Sequence, residues 1–347
     1  MASSENETFF EEGGEGPQGL PSISDMHTLI GMQSILLLVG VTGNSLVLYV
    51  FGNRGERLTY VIAILSLAVI DLISCCLYLP FAIALEAQWF ATSSNFVCKC
   101  FHFFTNVTHC FSTPSLLLIA LDRCACVCVG HVQATYHRRA FIAIVVVGVY
   151  SLSVSIFPTL AYRVNNGYCT SDGTTISEES IILFHNFIVA IFMIVGVVSI
   201  LIYSAIFGVV LYLKYGSKQH VLDSTLEETS HRPNSDTESS LSNAGDSTTP
   251  DASANTADKG RQLADFQQEQ ISIAVVMFTL TFVYFTAHIP LLLGFFKHAK
   301  NLGIVLSMMY EITFVSNFFV YLCLDAPFRK EVKELFQSTW SRLRSLR

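Results

Sequence analysis

Seven stretches of about 20 or more mostly apolar residues recur along the chain, at 28–51, 59–86, 97–128, 140–161, 180–213, 271–296 and 302–323. Each is long enough to cross the ~30 Å hydrocarbon core of a bilayer as a helix. The intervening segments are short, with one exception. Residues 214–265 are rich in Ser, Thr, Asp and Glu and nearly free of aromatics, so they cannot bury a core and are expected to be disordered. Beyond the seventh run, Phe328, Val332, Leu335 and Phe336 fall at helical spacing among Arg329, Lys330 and Lys333. That is the pattern of a short amphipathic helix lying on a membrane surface. The pattern as a whole predicts an all-α membrane protein. A seven-transmembrane-helix bundle occupies 28–323, an acidic tail (1–27) precedes it, and a short amphipathic eighth helix with a tail (324–347) follows.

Composition supports this. Of 347 residues, 52% are hydrophobic and 14% charged, with a mean hydropathy of +0.50. A soluble chain carries about 25% charged residues. The net charge of -7 is unevenly spread. With the N-terminus outside, sixteen Lys and Arg face the cytoplasm and only Lys99, Arg163, Lys297 and Lys300 face out. This bias sets the orientation, and it calls for no nucleic-acid partner. The sequon Asn6-Glu7-Thr8 then lies outside, where Asn6 is open to glycosylation, whereas Asn106-Val107-Thr108 lies within the third run and should stay unmodified. Met1–Ile30 is acidic and polar, unlike a cleavable signal peptide, so export is expected to rest on the first span.

Other function classes leave no matching pattern. A transporter or channel would show repeated halves or a line of intramembrane charges, and the clearest such acids here are Asp71 and Glu311. An enzyme would need a nucleophile–base pair or a metal motif such as HExxH, and no such constellation stands out. No resident metal or cofactor is expected.

Several residues stand in a telling order. Gly43-Asn44 lies in the first run, and Leu67-Ala68-Val69-Ile70-Asp71-Leu72 in the second. Trp89 follows in a loop, Cys98 opens the third run and Asp122-Arg123-Cys124 closes it. Pro158, Phe192, Tyr203 and Pro290 come next, then Asn317-Phe318-Phe319-Val320-Tyr321 and Pro327-Phe328-Arg329. This series resembles the rhodopsin-like (class A) G-protein-coupled receptors over about 28–336, apart from the third inner loop. The departures mark a divergent member. The helix-four tryptophan is missing, Val195 replaces the helix-five proline, His288 the helix-six tryptophan, Cys124 the tyrosine after Asp-Arg, and Phe318 the helix-seven proline. Thr105 stands where amine receptors carry an acid, and Glu311 where opsins carry the retinal lysine.

The resemblance implies a plasma-membrane, multi-pass receptor that transduces an extracellular ligand (a peptide, lipid or small neutral molecule) to a heterotrimeric G protein. Asp122, Arg123, Tyr203, Asn317 and Tyr321 would serve coupling. Asn44, Asp71, Ser112 and Asn317 would surround a sodium ion and waters, or Asp71 would be a structural hydrogen-bonded acid. Cys98 is expected to bridge Cys169, with Cys100 as the rival partner. The ligand pocket would be lined by Tyr78, Phe101, Thr105, Asn106, His109, His185, Phe187, His288, Leu291, Phe295, Ser307 and Glu311. The family brings the positions of His109 and His288 together, with Glu311 nearby. Such a group is open to four readings: packed core, a shared proton in a proton-sensing receptor, an anchor for a polar ligand, or a zinc site. Receptor kinases and arrestin would read the Ser/Thr-rich inner loop, as at Ser235-Asp236-Thr237-Glu238-Ser239-Ser240. Lipid surrounds the bundle.

Overall fold

Within lipid no water is available to hydrogen-bond a peptide group, so apolar runs must satisfy their backbone internally as helices. The computed structural model, which describes residues 23–54, 59–88, 92–128, 137–171, 173–230, 251–294 and 303–345, shows this. Helices α1 (Ile23–Asn53), α2 (Thr59–Glu86), α3 (Asn95–Cys128), α4 (His137–Leu160), α5 (Glu178–Ser230) and α6 (Asp251–Gly294) each contain a stretch long and apolar enough to cross a membrane. The seventh helix, α7 (Gly303–Leu324), completes the bundle, and α8 (Ala326–Ser345) follows it.

Helix α3 runs through the middle and packs against α2, α4, α5 and α6, while α7 closes the ring between α1 and α6. One large core fills the inner half, from Phe51, Tyr60 and Ile64 through Leu116 and Ile119 to Tyr203, Leu280, Tyr321 and Phe328. A smaller one around Leu36, Tyr78, Tyr310 and Phe314 fills the outer half. Val145, Val146 and Val149 on α4 and Ile194, Val197 and Leu201 on α5 turn outward, as a lipid-facing surface requires.

Helix α2 contains one wide π-helical turn at Ser74–Tyr78, just before Pro80. Proline has no N–H and crowds the carbonyl four residues back, so a locally widened turn relieves the clash. A two-stranded hairpin, β1 (Tyr162–Asn165) and β2 (Tyr168–Ser171), covers the outer end of α3. Its turn residues Asn166 and Gly167 both have positive φ, 52° and 83°, as a tight hairpin of matching twist demands. Val164 donates its backbone N–H to Asn95 Oδ1 at 2.7 Å, and Cys169, paired with Val164, is disulfide-bonded to Cys98.

Two expectations are corrected. The segment 214–265, read as disordered, is helical over 214–230 and 251–265, as continuations of α5 and α6. Extending an existing helix avoids the costly nucleation step and needs no core, and Leu, Glu, Gln, Ala and Lys there are good helix formers. Of that segment, 231–250 lies outside the described residues. The eighth helix is longer than its apolar pattern suggested and reaches Ser345, with Phe328 and Val332 buried but Phe336 and Trp340 exposed. Asp325 Oδ1 accepts the Phe328 N–H at 2.7 Å as its cap, and Arg54 at the inner end of α1 holds Glu331 at 2.8 Å.

Candidate functional site

At the inner end of the bundle, Arg123 is fully buried. A buried guanidinium must be paired. It donates to Asp122 beside it and to Gln270 Oε1 on α6 at 3.3 Å, and it lies over the Tyr60 ring at 5.0 Å. The Asp122 contact stays within α3, whereas the Gln270 contact crosses to α6. Tyr203, also fully buried, brings its hydroxyl to 3.5 Å from Thr281 on α6. Tyr321 packs its ring against Phe51 at 5.2 Å, and its buried hydroxyl has no hydrogen-bond partner among the described residues. The five residues expected to serve coupling therefore lie on α3, α5 and α7, with α6 contributing the partners Gln270 and Thr281. Gln270 and Tyr60 were not singled out. The only sequence signal for Gln270 is a polar residue directly before the apolar run of α6.

Halfway through the bundle, Asn317 donates to Asp71 Oδ2 at 2.5 Å. Asp71, Ser112 and Asn317 line a cavity of about 10 Å³ with Tyr284, Thr313 and Ser316, room for a single small occupant such as a water. Asn44 does not join them. Its amide donates to the carbonyls of Gly40 at 3.0 Å and Phe314 at 2.8 Å, tying α1 to α7. The reason is local: at Asn44 the approach of α7 presents a backbone carbonyl rather than the Asp71 carboxylate. That approach is close because Gly43 has no Cβ; one placed there would come within 2.7 Å of the Phe318 ring.

In the outer half, His109 and His288 do meet, with ring centroids 5.2 Å apart. They sit in an aromatic cluster with Phe192, Tyr284 and Tyr310. His288 Nδ1 bonds the Tyr284 carbonyl at 2.7 Å, and the Tyr284 hydroxyl bonds Thr113 at 2.8 Å. Glu311, placed near these histidines by the resemblance, is hydrogen-bonded elsewhere. Its Oε1 accepts from Gln33 Nε2 at 2.9 Å and from the Tyr78 hydroxyl at 3.3 Å, on the α1–α2 side of α7. Gln33 and Tyr78 thus supply N–H and O–H donors to one oxygen of this buried carboxyl group.

Phe101 stacks on Tyr78 at 5.5 Å. Thr105 and Asn106 turn their polar groups onto their own helix, at the Phe101 and His102 carbonyls. His185 is partly buried on α5. Phe187, expected in the pocket, is 56% exposed and faces outward; two residues on from His185 it falls on the opposite side of α5. The side chains of Leu291 and Ser307, and Phe295, Trp89 and Asn6 altogether, lie outside the described residues. The hairpin escaped sequence reading, although Asn166-Gly167 is its strongest short-range signal.

Comparison with known proteins matches this arrangement. The family model of the seven-transmembrane receptors of the rhodopsin family covers residues 43–324. Among relatives, the chain is 37% identical over 157 residues to mouse formyl peptide receptor-related sequence 6, covering 44% of this chain and 42% of that protein. It is 37% identical over 149 residues to mouse formyl peptide receptor 2, covering 40% and 41%. With human N-formyl peptide receptor 3 it shares 35% identity over 109 residues, covering 29% and 30%. The matched segments thus span less than half the length of each relative. The fold matches squid rhodopsin with a TM-score of 0.67 at 16% identity, over 91% of this chain and 86% of that one. A family match from the first helix to the end of the seventh, on a bundle of the same architecture, makes this chain a member of the rhodopsin family of seven-transmembrane receptors.

Proposed function

We propose that the protein is a plasma-membrane receptor, N-terminus outside, that passes the binding of an extracellular ligand to a heterotrimeric G protein. The observation that carries the reading is Arg123: fully buried, held by Asp122 on its own helix and by Gln270 on α6. A movement of α6 away from α3 breaks the Gln270 contact and frees a cationic side chain at the cytoplasmic mouth. The aromatic cluster around His109 and His288, and relatives named for formyl peptides, favour a peptide ligand over a lipid. Asp71, with Asn317 and the adjoining small cavity, is offered as the seat of a sodium ion or a water. Kinases and arrestin are offered as readers of the Ser/Thr-rich inner loop.

The test is nucleotide exchange on a panel of G-protein α subunits, with formylated and unformylated peptides as stimuli. Arg123→Ala should reach the cell surface and fail to stimulate exchange. Full exchange by a properly expressed Arg123→Ala would overturn the mechanism.

A further inference from the structure

Three buried polar side chains converge between the outer halves of α1, α2 and α7. Gln33 and Glu311 are fully buried and Glu86 is 4% exposed. Gln33 donates to Glu311 at 2.9 Å, and its amide lies beside the Glu86 carboxyl. The two carboxyl groups are close enough to interact electrostatically. Among the described residues neither acid has a basic partner. Three oxygens are left buried without a hydrogen bond among the described residues: Gln33 Oε1, Glu86 Oε2 and Glu311 Oε2.

Orphaned buried acceptors are rare and each costs free energy. Ionising either acid beside a neutral donor alone would leave negative charge uncompensated in a low-dielectric interior, a cost that a cation removes. Glu86 ends α2 at the outer side, and Glu311 lies eight residues into α7 from that side, so the acids stand at two depths from the outer face.

We propose that Gln33, Glu86 and Glu311 form a binding site for a protonated primary amine of the extracellular ligand, such as a lysine side chain or a free peptide N-terminus. An –NH3+ group brings three donors and no acceptor, matching three unpartnered oxygens, and its charge offsets the two acids. A calcium ion fits less well, because it takes six to eight oxygens. The proposal rests on the receptor reading and on an outward-facing site.

The test uses the purified full-length protein in lipid nanodiscs, with n-butylammonium as probe and thermal stability and saturation-transfer NMR as readouts. Butylammonium should raise the melting temperature saturably, and butanol should not. Glu86→Gln and Glu311→Gln should each weaken the effect by about tenfold or more, the loss of one charge-assisted hydrogen bond. Butyltrimethylammonium, which has no N–H donor, should not compete; this arm needs no variant and stands even if one misfolds. Four outcomes each overturn the site: no saturable effect in the wild type, an effect unchanged in both variants, equal binding of the quaternary analogue, or sodium or calcium chloride acting in place of the amine. No arm uses a G protein. A failed exchange assay therefore leaves this result standing, and failure here leaves the receptor reading standing.

Discussion

Replacing Gln270 by Leu removes the hydrogen bond from Arg123 to α6 while keeping most of the side-chain volume. Asp122 still accepts from Arg123, but both belong to α3 and move together, so that pair does not restrain α6. The Gln270 contact does. A hydrogen bond to a charged donor contributes about 1.5–3 kcal/mol. At 3.3 Å, in a residue 6% exposed, the lower figure is appropriate. Since 1.4 kcal/mol is a factor of ten, the population with α6 displaced should rise about tenfold. A receptor with roughly 1% basal activity would reach about 10%. Gln270→Glu should act in the opposite direction, because a carboxylate pairs with Arg123 more strongly than an amide. The assay is ligand-free nucleotide exchange in cell membranes, normalised to surface expression. Unchanged or lower basal exchange in Gln270→Leu at equal expression would refute the restraint.

Gly43→Ala should lower thermal stability by roughly 0.5–2 kcal/mol, since a Cβ within 2.7–2.9 Å of Phe318 overpacks the α1–α7 seam by more than helix propensity returns; in a Phe318→Ala background the same substitution should cost little in a melting assay. Cys98→Ser should leave Cys169 free in a non-reduced digest and cost about 4 kcal/mol or less, as expected for opening a closed loop with a sequence separation of 71. Asn6→Gln should abolish a glycosidase-sensitive gel shift, and an N-terminal tag should stain without permeabilisation. Signalling between pH 6 and 8 should be the same in wild type, His109→Phe and His288→Trp, because the carboxylate needed to hold a proton between the histidines is engaged by Gln33 and Tyr78; a pH response lost in either variant would restore the proton-sensing reading.

The seven apolar runs were legible because lipid leaves a chain so few options: unbroken apolarity over a bilayer's thickness has one structural solution. Arg123 was legible for a related reason, since a charge inside such a run must face the bundle. What failed was rotation and partnership. Phe187 is as apolar as a core residue, and in a membrane both the lipid face and the interior accept it, so composition does not tell one side of α5 from the other. Glu311 was placed on the correct helix, yet its partner depended on Gln33, a neutral residue in an apolar run that charge-based reading passes over. Glu86 was missed because it closes the second run, where an acid looks like an ordinary boundary. The helical continuations of α5 and α6 were missed because lack of a core argues against burial, not against helix.

The absence of proline from α7 has a mechanical consequence. Helices α2, α3, α4 and α6 all contain a proline, whereas Gly303–Leu324 has none, and Phe318 occupies the position where a kink would be expected. Such a helix behaves as a continuous rod, and its Phe318 ring is seated directly on Gly43 of α1. Treated as a fulcrum, that contact divides α7 into unequal arms. At 1.5 Å per residue the outer arm to Glu311 is about 10 Å and the inner arm to Tyr321 about 4.5 Å. A sideways pull of about 1 Å on Glu311 would then swing Tyr321 by about 0.4 Å in the opposite direction. The Asn317–Asp71 bond, one residue from the pivot, would hardly move. Such a lever would carry a signal past the polar centre of the bundle without breaking it.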